Sequence, residues 1–125
     1  MLTDARAISG FAVPDIVAAR AFYGDTLGLR ASEENGLLFL TLGSGQPVLV
    51  YPKPDHQPAV FTILNFSVDD IESTVDELAG RGVRFDRYEG FGQDERGISR
   101  TAEGPPIAWF RDPAGNILSV VQDGT

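Results

Sequence analysis

The chain has 125 residues, the length of one domain, and enough material to bury a core without staples. A net charge of −8, with Lys53 the lone lysine, is the reverse of the basic footprint that nucleic acid requires. The absence of cysteine excludes a disulfide framework, a thiolate metal site and a cysteine nucleophile. No apolar run approaches the roughly 20 residues that span a bilayer. Met1 to Arg6 also lacks the basic-then-apolar pattern of a signal peptide, so the expectation is a cytoplasmic protein without membrane contact.

Ala7 to Val13 reads as a first strand, stopped at Pro14, which cannot donate to a ladder but suits the start of a helix. Ile16 to about Leu27 follows as a helix, with Ile16, Ala19, Phe22/Tyr23 and Thr26/Leu27 on one face and Gly28 at its end. Leu29 to Ser32, Leu37 to Leu42 and Pro47 to Tyr51 read as three strands. Glu33-Glu34-Asn35-Gly36 is the turn between the first two, with Asn-Gly the hairpin signal. The proline-rich stretch 52–59 reads as an extended connector and contains His56, expected to be exposed and silent.

A second pass of the same order then begins. Val60–Val68 reads as a strand and Ile71–Ala79 as a helix, with Asp69 and Glu72 three apart in a capping-box pattern and Asp15 and Asp70 as helix caps. Val83–Tyr88 and Ile98–Ala102 read as strands around the glycine-rich segment Gly90–Gly97. Glu103-Gly104-Pro105-Pro106 reads as a turn, and Ile107–Phe110 with Ile117–Gln122 as a closing hairpin around Asp112-Pro113-Ala114-Gly115-Asn116. Phe11, Val13, Asp15 and Ile16 match Phe66, Val68, Asp70 and Ile71 at an offset of 55 (66 − 11 = 55), so the chain is an internal repeat. The fold expected is α+β, two βαβββ modules in tandem at about 7–51 and 60–122. Leu37–Leu40, Phe61–Leu64 and Ile117–Val121 are apolar on both faces, so the side away from the helices must meet something apolar as well.

Val13-Pro14-Asp15, Phe22-Tyr23 with Leu27-Gly28-Leu29, and Phe110-Arg111-Asp112-Pro113-Ala114-Gly115-Asn116 resemble the vicinal oxygen chelate superfamily over nearly the whole chain, from Ile8 to Gln122. That superfamily includes glyoxalase I, extradiol dioxygenases, fosfomycin-resistance enzymes and bleomycin-resistance proteins. The resemblance implies paired modules with sheets curled around a shared cavity, usually in a homodimer, and in the enzymes a divalent metal held by His, Gln or Glu. The matching positions here are Ile8, Leu49, Ile63 and Ser119. Three of those side chains have no donor atom and the fourth is a poor ligand, whereas Fe, Mn, Ni or Zn needs nitrogen or oxygen donors. No cofactor is therefore expected.

The ligand-binding residues expected are Ile8, Tyr51, Ile63, Asn65, Phe91, Trp109 and Ser119, and no catalytic residue is assigned. Asn65 is a polar amide in an apolar strand, while Trp109 and Tyr51 offer large surfaces with a polar handle. Phe91 sits in a segment whose glycines would allow it to close over a bound molecule. Asp112 is expected to shape its turn. The ligand expected is a small apolar or planar molecule, and the negative charge suits a cationic one. Two alternatives stand beside this: a metalloenzyme with displaced donors such as His56, Glu33 or Glu89, and a protein-interaction module that uses the apolar face.

Overall fold

The computed structural model describes residues 1–101 and 104–123. The chain divides into two compact units, Met1–His56 and Gln57–Thr125. The first contains β1 (Ser9–Val13), α1 (Ile16–Arg20), β2 (Arg30–Glu34), β3 (Leu37–Thr41) and β4 (Pro47–Pro52). Its four-stranded sheet has the order β1-β4-β3-β2, with β1 parallel to β4 and the other pairs antiparallel. Asp15 caps α1, its carboxylate accepting from the Val17 and Ala18 amides at 3.0 and 3.3 Å. These bonds satisfy donors that have no partner within the helix.

The expected single helix over 16–27 is in two parts. After Arg20 the chain widens into a π-helical segment, Ala21–Thr26, where the Leu27 amide reaches back five residues to the Phe22 carbonyl at 2.9 Å. This segment delivers Tyr23, fully buried, between Phe11 at 5.6 Å and Phe22 at 5.1 Å. Val13, Leu38, Leu40, Val48 and Val50 are buried on the sheet. They alternate with half-buried Ala12, Leu37, Phe39 and Leu49, so β3 is apolar on both faces as expected, and β4 is as well. Asn35 and Gly36 turn the β2–β3 hairpin with φ of 54° and 81°, the left-handed pair that a two-residue turn of this twist demands.

The second unit follows the same order with one strand fewer, as β5 (Thr62–Val68), α2 (Ile71–Gly80), β6 (Ile107–Arg111) and β7 (Ile117–Gln122). Its sheet runs β5-β7-β6, with β5 parallel to β7 and β6 antiparallel to it. Ile71, Val75 and Leu78 form the buried face of α2. The cap is Asp70, which accepts from the Ser73 amide at 3.2 Å. Asp69 and Glu72 do not form the expected capping box, because the strand runs through Val68 and Glu72 instead pairs with Arg100 at 2.6 Å.

Two expected strands are not strands. Val83–Tyr88 makes a single bridge, Phe85 to Phe110, with the Asp86 amide bonded to the Trp109 carbonyl at 2.8 Å. Beyond it the side chain of Gln93 replaces a neighbouring strand. It accepts from the Tyr88 amide at 2.6 Å and donates to the carbonyls of Asp86 and Gly97, both at 2.8 Å. In place of the strand Ile98–Ala102, Ser99 makes isolated bridges to Gln93 and Ile107. Ala102 and Glu103 lie outside the described residues.

Asp112 shapes the β6–β7 turn as its sequence context implies. It is 5% exposed, and its Oδ1 accepts from the amides of Ala114 and Asn116 at 2.9 and 2.8 Å while Oδ2 accepts from Asn116 Nδ2 at 2.9 Å. Gly115 has φ of 89°, and a Cβ there would stand 3.3 Å from the Pro58 ring. Asp112→Ala would leave buried donors without an acceptor. It should destabilise the protein by about 3 kcal/mol in urea unfolding, where Asp112→Asn costs less.

Candidate functional site

β6 alternates between two environments. Ala108 and Phe110 are buried, while Trp109 and Arg111 project to the other face of the sheet. There Trp109 meets two aromatic rings from the segment that leads away from the Phe85 bridge. Tyr88 stands edge-on at 5.5 Å and 89°, and Phe91 lies tilted at 5.3 Å and 38°. Tyr88 and Phe91 are themselves 6.0 Å apart. These offset and edge-to-face arrangements are the ones that aromatic quadrupoles favour. Together with Val60, Phe61, Thr62 and Ile117 the three rings line a pocket of about 290 Å³. Phe61 is 66% exposed and Phe91 45%, so the pocket opens to solvent over apolar surface.

The aromatic wall is held from behind. The Phe91 carbonyl accepts from Ser99 Oγ at 2.5 Å. Asp94 Oδ1 accepts from the Arg96 and Ile98 amides, each at 2.9 Å, and Asp94 also pairs with Arg100. Arg96 reaches Asp76 of α2 at 2.9 Å, and Arg100 reaches Glu72 at 2.6 Å. The segment 93–100 is thus tied to α2, and through Ser99 it holds the stretch around Phe91. At the rim Arg111 Nε meets Asp86 Oδ2 at 2.7 Å, and the Tyr88 hydroxyl donates to the same oxygen at 3.2 Å. Asp86 first, and Tyr88 beside it, hold the Arg111 guanidinium more firmly protonated than usual.

Of the residues expected at a ligand site, Trp109 and Phe91 come together in this pocket. Asn65, Ser119 and Trp109 stand in register across β5, β7 and β6, and Ser119 Oγ donates to Asn65 Oδ1 at 2.5 Å. Ile63 is half-buried at the irregularity between Thr62 and Leu64. Ile8, 51% exposed, precedes β1, and Tyr51, 39% exposed, lies opposite Ala12 on β4, so both belong to the first unit. Sequence reasoning did not single out Val60, Phe61, Thr62, Tyr88, Arg111 or Ile117. The one available signal was Tyr88 three residues ahead of Phe91, beside the glycines.

The residues at the positions of the superfamily's metal do not fit a metal. Ile8, Leu49 and Ile63 are hydrocarbon, and the Ser119 hydroxyl is engaged with Asn65. Among the displaced donors considered, Glu33 pairs with Arg20 at 3.5 Å and Glu89 is exposed at a turn. His56 is half-buried rather than exposed, its Nε2 shielded and without a partner among the described residues. No three His, Asp or Glu side chains among the described residues converge on a common point. No helix among them is long and apolar enough to cross a membrane.

The profile of the Glyoxalase/Bleomycin resistance protein/Dioxygenase superfamily matches residues 7–120, and the chain belongs to that superfamily. No curated protein matches it. Among solved structures, it is similar to the bleomycin resistance determinant encoded on the transposon Tn5, with a TM-score of 0.71, 18% identity, and 96% and 98% of the two chains covered. It is also similar to TnmS3, an antibiotic binding protein from Streptomyces sp. CB03234, with a TM-score of 0.68, 22% identity, and 97% and 98% covered. A lactoylglutathione lyase from Agrobacterium tumefaciens matches with a TM-score of 0.64, 26% identity, and 95% and 93% covered.

The ties behind Phe91 give the site a pH dependence. Burial raises the Asp94 pKa, but the Ile98 amide, Arg100 and the Arg96 amide outweigh it, so the carboxyl titrates below its ordinary range. A depressed folded-state pKa stabilises fully above the unfolded value, and that contribution is lost as pH falls through the folded one. Stability measured in urea should therefore decline below about pH 4, and Asp94→Asn should make that decline shallower.

Proposed function

We propose that the protein binds a small, mostly apolar or planar molecule without a metal ion. The observation that carries this is the pocket of Trp109, Tyr88, Phe91 and Phe61, aromatic surface left open in a soluble-sized domain. Exposing such rings costs free energy that a flat ligand recovers, since each ring offers a large area to cover. The poor donor set at Ile8, Leu49, Ile63 and Ser119 supports binding rather than metal catalysis. Two similar solved structures, one an antibiotic binding protein and one a bleomycin resistance determinant, support an antibiotic-like ligand. Cationic planar compounds suit the net charge of −8.

In this function the chain's residues bind and orient. Trp109 supplies the stacking floor, Tyr88 and Phe91 the flanking wall, and the Ser99 and Arg100 ties keep Phe91 in reach of the ligand. We take the protein to be a cytoplasmic homodimer.

Trp109 is the single tryptophan, so its emission reports this site alone. Titration with bleomycin and with a panel of flat polycyclic compounds should quench or shift that emission for at least one of them. Phe91→Ala should weaken the binding about fivefold and lower the thermal midpoint by only a few degrees. A panel that leaves Trp109 emission unmoved, while binding is seen calorimetrically, would put the ligand elsewhere.

A further inference from the structure

The open face of the second unit's sheet carries one polar side chain whose hydrogen bonding is half used. Asn65 on β5 stands beside Ser119 on β7, and Ser119 beside Trp109 on β6, a row of three across the sheet. Ser119 is fully buried, and its hydroxyl donates to Asn65 Oδ1 at 2.5 Å. That bond fixes the amide. Turning it over would remove the only acceptor that the buried O–H has among the described residues, an unfavourable exchange. With Oδ1 engaged, the two hydrogens of Nδ2 are left over. Asn65 is exposed, and its Nδ2 has no partner among the described residues.

We propose that Asn65 is a specificity residue for the aromatic pocket, its Nδ2 donating to a neutral oxygen acceptor, a ring carbonyl, on a planar ligand stacked on Trp109. Ser119 is its positioning residue. This rests on the aromatic pocket being the binding site, and it adds a chemical feature that the ligand must carry. Strands lie about 4.8 Å apart, so the Asn65 and Trp109 backbones are about 10 Å apart, and with both side chains and a hydrogen bond of about 3 Å spanning part of that, a fused three-ring compound with a ring carbonyl bridges the rest. Asn65 lies outside the lining of the pocket, which runs from Trp109 to Ile117 and Thr62, one row further along the same face, so the ligand meets it by reaching across Ser119. An anionic acceptor is disfavoured, because the chain carries −8 and the Arg111 guanidinium is already paired with Asp86.

The test uses a matched pair of probes, xanthone and xanthene, which differ by a carbonyl against a methylene. Binding is read from Trp109 emission in the wild-type protein, Asn65→Asp and Ser119→Ala. Asn65→Asp keeps an acceptor for Ser119 but removes the donor. The wild type should prefer xanthone by about fivefold. Asn65→Asp should abolish that preference with xanthene affinity within about twofold of wild type, and Ser119→Ala should reduce it by freeing the amide to rotate. Equal binding of the two probes, or a preference that survives Asn65→Asp, would overturn the role of Asn65 and leave the pocket standing. Failure of both probes to bind the wild type would overturn the pocket and this refinement together.

Discussion

Each unit depends on one constraint, the parallel pairing of its first strand with its last. β1 lies along β4 and β5 along β7, and a parallel pair cannot be joined by a tight turn. The intervening chain must therefore cross over, which it does through a helix, and the remaining strands then add beside the last one. The joint is sharp because an aspartate stands at it. Asp15 and Asp70 hold backbone φ of −133° and −134° as the chain leaves the strand, and both cap the helix that follows. In the second unit Gln122 closes the other side of the joint, its Oε1 accepting from the Ile71 amide at 2.9 Å.

That pairing also sets what the open face presents. Because β5 and β7 run side by side in fixed register, Asn65 meets Ser119, and because β6 is antiparallel to β7, Trp109 meets Ser119 from the other side. The position where the superfamily's enzymes place a carboxylate thus holds a hydroxyl locked to an amide. The first and second units have diverged at the outer edge. In the first, β2 is a full strand, whereas in the second the corresponding stretch makes one bridge at Phe85 and hands its polar groups to Gln93. Losing that strand releases Tyr88 and Phe91 from a ladder and lets both rings turn onto Trp109.

The repeat, the two helices, the Asn35-Gly36 hairpin and the Asp112 turn were legible in the sequence because each depends on local chemistry. Periodicity, a left-handed glycine pair and a short acidic side chain act within a few residues of themselves. The failure of the Asp69–Glu72 capping box and of the strand over 83–88 was not, because the competing partners are distant. Glu72 is drawn off by Arg100, and Gln93 satisfies the backbone that a strand would have satisfied. At the site, Trp109, Phe91 and Asn65 stood out as residue types that need a partner. Phe61 was hidden because an aromatic residue in an apolar run looks like core, and Tyr88 because it read as the end of a strand that does not form.

The central claim is that this site works through aromatic surface and hydrogen bonds and needs no divalent ion. It is tested most directly by measuring the affinity for one quenching ligand twice, in excess EDTA and after dialysis against nickel, zinc, iron and manganese with elemental analysis of the protein. Equal affinities, with no stoichiometric metal retained, are the predicted result. Binding that appears only with one tightly held ion per chain would contradict the claim and place the protein with the metal-dependent members of its superfamily.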